Sequence, residues 1–267
     1  MAEARTTVAY GRDMLSRAWG IGRSLAMYHG VPGRQRRMVR LYRTFLEPGD
    51  IGFDIGAHVG SRVRAWRRLG ARVVAVEPQP DCVRVLRLFF GRDRGVTIVP
   101  QAVGATAGRA RLALSSATPT VSSMSPDWIG SVTADRRFSR VRWDRSVEVE
   151  VATLDDLIAI HGEPAFCKID VEGFEVDVLA GLSRPLCGIS FEYLPPAHDA
   201  ALRALSLVEG IGAAAGGYVY NYSPIETMRL ASERWLDAAG LVRLLEHYRP
   251  LGRSGDVYAH LATARAG

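Results

Sequence analysis

The chain has 267 residues, 48% of them hydrophobic and 23% charged, which is enough to bury one sizeable core or at most two small ones and excludes a disordered or low-complexity chain. No apolar run approaches the ~18 residues of a membrane-spanning helix, and the charged N-terminus lacks the apolar stretch of a secretory signal. The net charge of +6 sits in residues 1–45, where nine arginines meet only Glu3 and Asp13, so the body is near neutral and nucleic acid is not an expected partner.

Residues 1–30 read as loosely helical, with Val8, Leu15, Ala18, Trp19 and Leu25 apolar and Gly11, Gly20 and Gly22 weakening the pattern. Val31-Pro32-Gly33 is a break. From 34 to 46, Met38, Leu41, Tyr42, Phe45 and Leu46 recur at helical spacing with arginines opposite, predicting an amphipathic helix. Its basic side reads either as a solvated face at the domain edge or as a surface for an anionic membrane, nucleic acid or an acidic partner. Residues 1–46 are thus expected to form a basic helical N-terminal extension to a domain spanning 47–267.

Gly49–Gly60 is the organising stretch. A short apolar strand, 51–55, runs into a glycine turn, and Val63, Trp66 and Leu69 then recur at helical spacing. Glycines let backbone approach a ligand, and a helix start presents unpaired N–H groups. Gly56 and Gly60 make G-x-x-x-G with Asp54 two residues earlier, which suits a nucleoside bearing an amino acid better than a pyrophosphate. A second buried strand, 71–76, ends in Glu77-Pro78. Glu77 follows Gly56 by 21 residues, where α/β nucleotide folds place an acid on the ribose hydroxyls. A helix carrying Val83, Val85, Leu86, Leu88, Phe89 and Phe90 follows, then a strand at 96–99 and a loop at 100–104.

Strand character returns at 109–114 and 147–151. Between them, about 115–147 reads as an insertion, beginning as a Ser/Thr/Pro-rich surface loop over 115–126 and carrying Trp128, Trp143, Arg136, Arg137 and Arg140. Thr153 with Asp156 forms a capping box for the next helix. Strands at 165–169 and 188–191 end in Asp170 and Glu192, with a helix opened by Glu172-Gly173 between them. The remainder predicts helices near 202–208 and 233–245 and strands at 218–222 and 257–261. Strands alternating with helices argue for a parallel sheet with helices on both faces. Asp54, Glu77, Asp170 and Glu192 then gather at one sheet edge, too many acids for a plain solvated rim. Cys82, Cys167 and Cys187 lack metal-type spacing and read as reduced thiols in a cytoplasm.

FDIGAHVG (53–60), VVAVEPQP (73–80), VPQAVGATAG (99–108), TLDDL (153–157) and above all KIDVEGFEVDVLAGL (168–182) resemble the FkbM-type methyltransferases. The resemblance covers about 47–194 and implies a class I methyltransferase, Rossmann-like fold with S-adenosylmethionine as cofactor. It implies that Asp54, Gly56, Ala57, His58 and Gly60 hold the methionine end. Glu77, followed by Pro78, would take the ribose diol, Ala102 and Val103 would border the adenine, and Asp170 would sit beside the sulfonium. The family usually has Asn where this chain has His58, which brings an expectation of pH-dependent binding.

The methyl acceptor implied by the resemblance is a hydroxyl of a sugar, glycolipid or secondary metabolite, so a base is useful. Asp170 is the first candidate. Lys168 shares its face and acts either on the Asp170 pKa, as a base itself, or as a structural ion pair. Glu172 is expected to cap the following helix. Glu192, Trp128, Trp143 and Arg136 are candidate acceptor contacts, the tryptophans stacking on a sugar or packing under the insertion. The scattered histidines, and Asp170 with Glu172, do not make a metal site. A nicotinamide-dependent oxidoreductase and a non-catalytic basic surface module stay open as alternatives, and so do monomer and homo-oligomer.

Overall fold

Val73 and Ala75 face one side of their strand and Val74 and Val76 the other, and all four are buried. A strand apolar on both faces has to be covered twice. The computed structural model describes residues 17–133, 141–224 and 227–265. In chain order the elements start with α1 (17–29), α2 (Arg34–Tyr42), β1 (Ile51–Ile55), α3 (Ser61–Arg68), β2 (Arg72–Val76), α4 (Pro80–Phe90) and β3 (Val96–Val99). Next come β4 (Ala102–Val103), β5 (Gly108–Leu114), α5 (Pro126–Thr133), β6 (Arg145–Ala152), α6 (Leu154–His161), β7 (Phe166–Ile169) and α7 (Glu175–Ala180). The chain finishes with β8 (Gly188–Tyr193), α8 (His198–Gly212), β9 (Tyr218–Pro224), α9 (Ala238–Tyr248) and β10 (Gly255–Leu261).

The main sheet has seven strands in the order β3-β2-β1-β7-β8-β10-β9. The chain builds outward from β1 through β2 to β3, then crosses to the other side of β1 for β7 and β8. The order therefore reverses between β1 and β7, the place where open α/β sheets bind ligands at strand C-termini. The expected all-parallel sheet is corrected at one strand, because β10 runs antiparallel between β8 and β9.

On one face Phe53, Val74, Cys167, Ile189 and Phe191 pack with the helices α6 to α9. On the other, Val73, Ala75, Trp66, Phe166 and Tyr258 pack with Met38, Leu41, Tyr42, Phe45 and Leu46. Burying each such side chain contributes about 1.5–3 kcal/mol, so α2 is bound to the sheet through a shared core. Its arginines divide accordingly: Arg36, Arg40 and Arg43 are exposed, but Arg34 is buried.

The 100–104 loop is instead the two-residue strand β4, which joins β6 and β5 in a separate three-stranded sheet. The stretch 115–126 is not a surface loop. Ser115, Ser116, Val121 and Ser123 are buried, and Ala113 bridges Ser123 in antiparallel fashion. Hydroxyl-rich segments look solvated in sequence, yet short side chains that bond to nearby backbone can be buried. The Thr153–Asp156 capping box is formed on both sides. Residues 233–237 lie outside the last helix, which starts after its Asp237 cap.

Candidate functional site

The site begins at the turn after β1. Gly56 has φ +82°, and a Cβ there would lie 1.9 Å from the Asp170 carbonyl oxygen. Only glycine lets this turn meet the turn after β7. The Gly56 and Ala57 N–H groups both donate to the Val76 carbonyl, at 2.9 and 3.0 Å. His58 is also left-handed, φ +49°, a conformation in which Asn, Asp and His are the tolerated non-glycine residues. Its N–H donates to Glu77 Oε2 and that of Gln79 to Oε1, both at 2.8 Å. Glu77 thereby ties the turn after β1 to the turn after β2. Burial raises its pKa to about 7 against the pull of those two donors.

A chain of charges runs behind this turn. Asp54 is fully buried, with Oδ1 accepting from Arg62 Nε at 2.8 Å and Oδ2 without a partner. Arg62 also meets Asp170 Oδ2 at 2.8 Å and the Gly56 carbonyl at 3.3 Å. Burial would lower the Arg62 pKa, but Asp54 and Asp170 outweigh it and keep the guanidinium charged. Lys168 is fully buried, 2.8 Å from Asp256 Oδ1, 3.8 Å from Asp170 Oδ2, and donating to the Ile169 carbonyl. Burial alone would depress it, yet Asp256 and Asp170 raise its pKa. Lys168 as a depressed base is therefore corrected: it is a fixed cation. Burial opposes ionisation of Asp170 too, and Lys168 and Arg62 overcome it, holding that carboxyl low.

Three carboxylates converge beside it. Oxygens of Asp170, Glu172 and Glu192 lie within 4.8 Å of one another. Burial, then repulsion from Asp170 and neighbouring acids, raises Glu172; burial, then Glu172 and Asp170, raises Glu192. Burial and mutual repulsion thus make Glu172 and Glu192 better proton acceptors than free carboxylates. Glu172 does not cap the following helix as expected. It sits at φ +52°, and Glu175 instead accepts from the Val171 and Gly173 N–H groups at 3.1 and 3.3 Å. The Glu172 carbonyl accepts from Ser123 Oγ at 2.7 Å, which pins the insertion to the site.

These turns open onto a cleft of about 910 Å³, including its mouth. Of the sequence-selected residues, Gly56, Ala57, His58, Glu77, Pro78, Ala102, Val103 and Asp170 line it. Asp54 does not; it lies beneath Arg62. Gly60 does not either, and its role is packing, since a Cβ there would meet the Phe90 ring at 2.3 Å. Burial, then Arg62, pushes the His58 pKa down to about 4. His58 is therefore neutral through the physiological range, against the expectation of a neutral-pH switch.

Glu192 lines a smaller neighbouring cavity with Trp128 and Leu194. Trp128 is 4% exposed and packs edge-on to Trp143, whose Nε1 donates to the Val121 carbonyl at 2.9 Å. That is packing under the insertion, not an open stacking platform. Arg136, with Arg137 and Arg140, lies outside the described residues. Sequence reading missed Tyr28, Arg34, Arg62 and Gln101 as lining residues. Arg34 reads in sequence as one of the arginines opposite the apolar face of 34–46, and Arg62 is not singled out, the available signal being its place two residues past the glycine turn.

The cleft thus offers acids and a glycine turn at strand ends and an apolar wall of Ala102, Val103 and Leu112, an arrangement fit for a nucleoside that carries an amino acid. Among proteins of known activity, the hexuronic acid methyltransferase AglP of Haloferax volcanii is 29% identical over 161 residues, 59% of this chain and 60% of that protein's length. The chain thus aligns with less than two thirds of that relative. Among solved structures, an O-methyltransferase from Bacillus cereus in complex with SAH has a TM-score of 0.44 at 12% identity, covering 91% of this chain and 90% of that one. A precorrin-6y C5,15-methyltransferase from Geobacter metallireducens likewise has a TM-score of 0.44 at 12% identity, covering 84% and 86%. The model of the methyltransferase FkbM domain matches residues 54–220, more than half of the sequence. The chain belongs to the FkbM methyltransferase family, and its cofactor is S-adenosylmethionine.

Proposed function

We propose that the protein transfers a methyl group from S-adenosylmethionine to an oxygen of a sugar-containing acceptor, a glycan or glycolipid. The observation that supports it most is the cleft at the reversal point of the sheet, where Gly56, Glu77 and Asp170 meet an apolar Ala102–Val103 wall. The hexuronic acid named for the Haloferax relative makes an acidic sugar the first acceptor to try.

The cofactor, when bound, supplies a methyl group already activated on a sulfonium. The task of the chain is to align, dry and deprotonate. Gly56 and Ala57 give the cofactor backbone to rest on. Glu77 has one donor on each carboxylate oxygen and lone pairs left for a diol. Ala102, Val103 and Leu112 give the base an apolar wall. Thr120, Ser122 and Met124 from the insertion also line the cleft and help exclude water, Met124 packing against the Ala102–Leu112 wall.

Asp170, held ionised by two cations, is a weak base and serves as a fixed negative charge. Glu172 lines the same cleft with a raised pKa, so it is the better group to take the acceptor's hydroxyl proton. Glu172→Gln should lower kcat by ~10²–10⁴ while leaving the affinity for S-adenosylhomocysteine unchanged. The test is mass spectrometry of hexuronates, neutral sugars and glycolipids incubated with enzyme and labelled S-adenosylmethionine. Label appearing only on nitrogen or carbon acceptors would refute the reading.

We also propose that a glycolipid acceptor is met at a membrane surface. Trp19 is 71% exposed and Leu88 79%, on α1 and α4, which an Arg17–Asp81 ion pair holds together. Arg23 and Arg84 are exposed on the same two helices. No helix among the described residues is long and apolar enough to cross a membrane, so such contact would be peripheral.

A further inference from the structure

The N-terminal segment lies outside the matched family domain, yet three of its residues, Tyr28, Arg34 and Met38, line the cofactor cleft. They do so beside His58, Val59 and Ser61, the turn and first residue of α3. Arg34 is 7% exposed. Its guanidinium carbon lies 4.7 Å from the Tyr28 ring centroid, and Nη1 donates to the Met27 carbonyl at 3.5 Å. Tyr28 in turn meets the His58 ring edge-on at 5.3 Å. On either side, His29 Nε2 bonds the Val59 carbonyl and Gln35 Nε2 donates to that of Ser61, both at 3.0 Å. The arginine is therefore held in place against the cofactor turn, and is not a loose surface charge.

The charges around the cleft are polarised. Glu77, Asp170 and Glu172 contribute acids from the turns after β2 and β7, where the cleft's other arginine, Arg62, is already paired with Asp54 and Asp170. Arg34 adds a cation next to the start of α3, where Gly60 provides no side-chain cap, so first-turn N–H groups keep their attraction for an anion. His58 between them is neutral. An amino-acid zwitterion fits that polarity with its carboxylate toward Arg34 and Ser61. A planar guanidinium is the side chain best matched to a carboxylate.

We propose that Arg34 binds the carboxylate of the cofactor's methionine moiety, so that the N-terminal segment completes the cofactor pocket. The proposal rests on the cofactor reading of the cleft and adds a residue beyond the family domain. A carboxylate at Arg34 has two conceivable owners, the cofactor and an acidic acceptor. The contacts tying Arg34's neighbours to the glycine turn favour the cofactor.

Titration calorimetry on the full chain separates the cases, using S-adenosylhomocysteine, which carries the carboxylate, and 5′-methylthioadenosine, which lacks it. Arg34→Gln should weaken S-adenosylhomocysteine about 10- to 100-fold and leave methylthioadenosine unchanged, which also shows that the variant is folded. Arg34→Lys should fall between. Equal losses for both ligands would make Arg34 a wall-packing residue and overturn the proposal, as would no loss for either. Retained S-adenosylhomocysteine binding with lost glucuronate binding to the loaded enzyme would assign the carboxylate to the acceptor and overturn it too. If the unaltered protein binds neither nucleoside, the cofactor reading itself falls, and this proposal with it.

Discussion

Arg62 shows how one side chain can decide the electrostatics of a site. It pairs with two buried acids to different effect: with Lys168 it holds Asp170 low, whereas at Asp54 burial outweighs it and the pKa stays raised. Arg62→Leu should cost about 3–5 kcal/mol in urea unfolding, because it strands a buried carboxylate. Glu77 sets a pH dependence. Its pKa is raised to about 7 in the protein, and hydroxyl donors from a ribose would favour its ionised form. Nucleoside binding should then release a proton, and S-adenosylhomocysteine affinity should rise as pH increases from 6 to 8, as about 7 is crossed. Glu77→Gln should flatten that profile, and a slope that survives would assign the titration elsewhere. The same raised pKa means that Glu77 contributes most to stability at low pH and loses that contribution as pH rises through about 7. His58, lowered to about 4, adds nothing to the affinity profile near neutrality, while its unfolded-state titration makes stability rise as pH increases from about 4 through about 6.5. His58→Asn should leave the melting temperature nearly unchanged, because Asn tolerates a φ of +49°; a β-branched Val should be destabilising by ~1–3 kcal/mol.

At the scale of elements, local chemistry and long-range packing separate cleanly. The capping box at Thr153 could be read directly from sequence, because cap and N3 residue are three apart and bond within the same turn. Thr153→Ala should cost about 0.5–2 kcal/mol of stability without altering nucleoside affinity, as thermal melts and calorimetry would show. The strands and glycine turns of 49–99 were equally legible, since burial on two faces leaves a continuous apolar run. What could not be read was partnership. Ala102-Val103 is too short to announce a strand and becomes one because β6 lies beside it. The Glu172 cap failed for a similar reason: the helix starts later, at Glu175, and leaves Glu172 in a left-handed turn beside Asp170 of the same turn and Glu192 of the neighbouring strand β8.

Across the whole molecule, the basic N-terminus has two different sides. Its apolar face is part of the core with Trp66, Phe166 and Tyr258, and its buried arginine borders the cofactor cleft. Removing residues 1–45 should therefore give poorly soluble protein with an exposed core face, which makes truncation a poor test of membrane contact. Substituting the exposed residues is cleaner. Trp19→Glu with Arg23→Glu should abolish co-sedimentation with vesicles containing anionic lipid while calorimetry with S-adenosylhomocysteine is unchanged. Equal sedimentation of altered and unaltered protein would remove the membrane from the proposal.

The sequence by itself determined the strands of the main sheet, the glycine turn, the acid that follows each of the strands 71–76 and 165–169, and through its motifs the family. These depend on residues close along the chain, where spacing and side-chain type carry the information. Only the tertiary structure decided which of those acids are charged, which arginines are buried and which residues face the cleft. Those properties arise from groups far apart in sequence, Asp54 with Arg62 and Asp170, or Lys168 with Asp256, and burial changes both their solvation and their mutual attraction. No spacing along the chain encodes that.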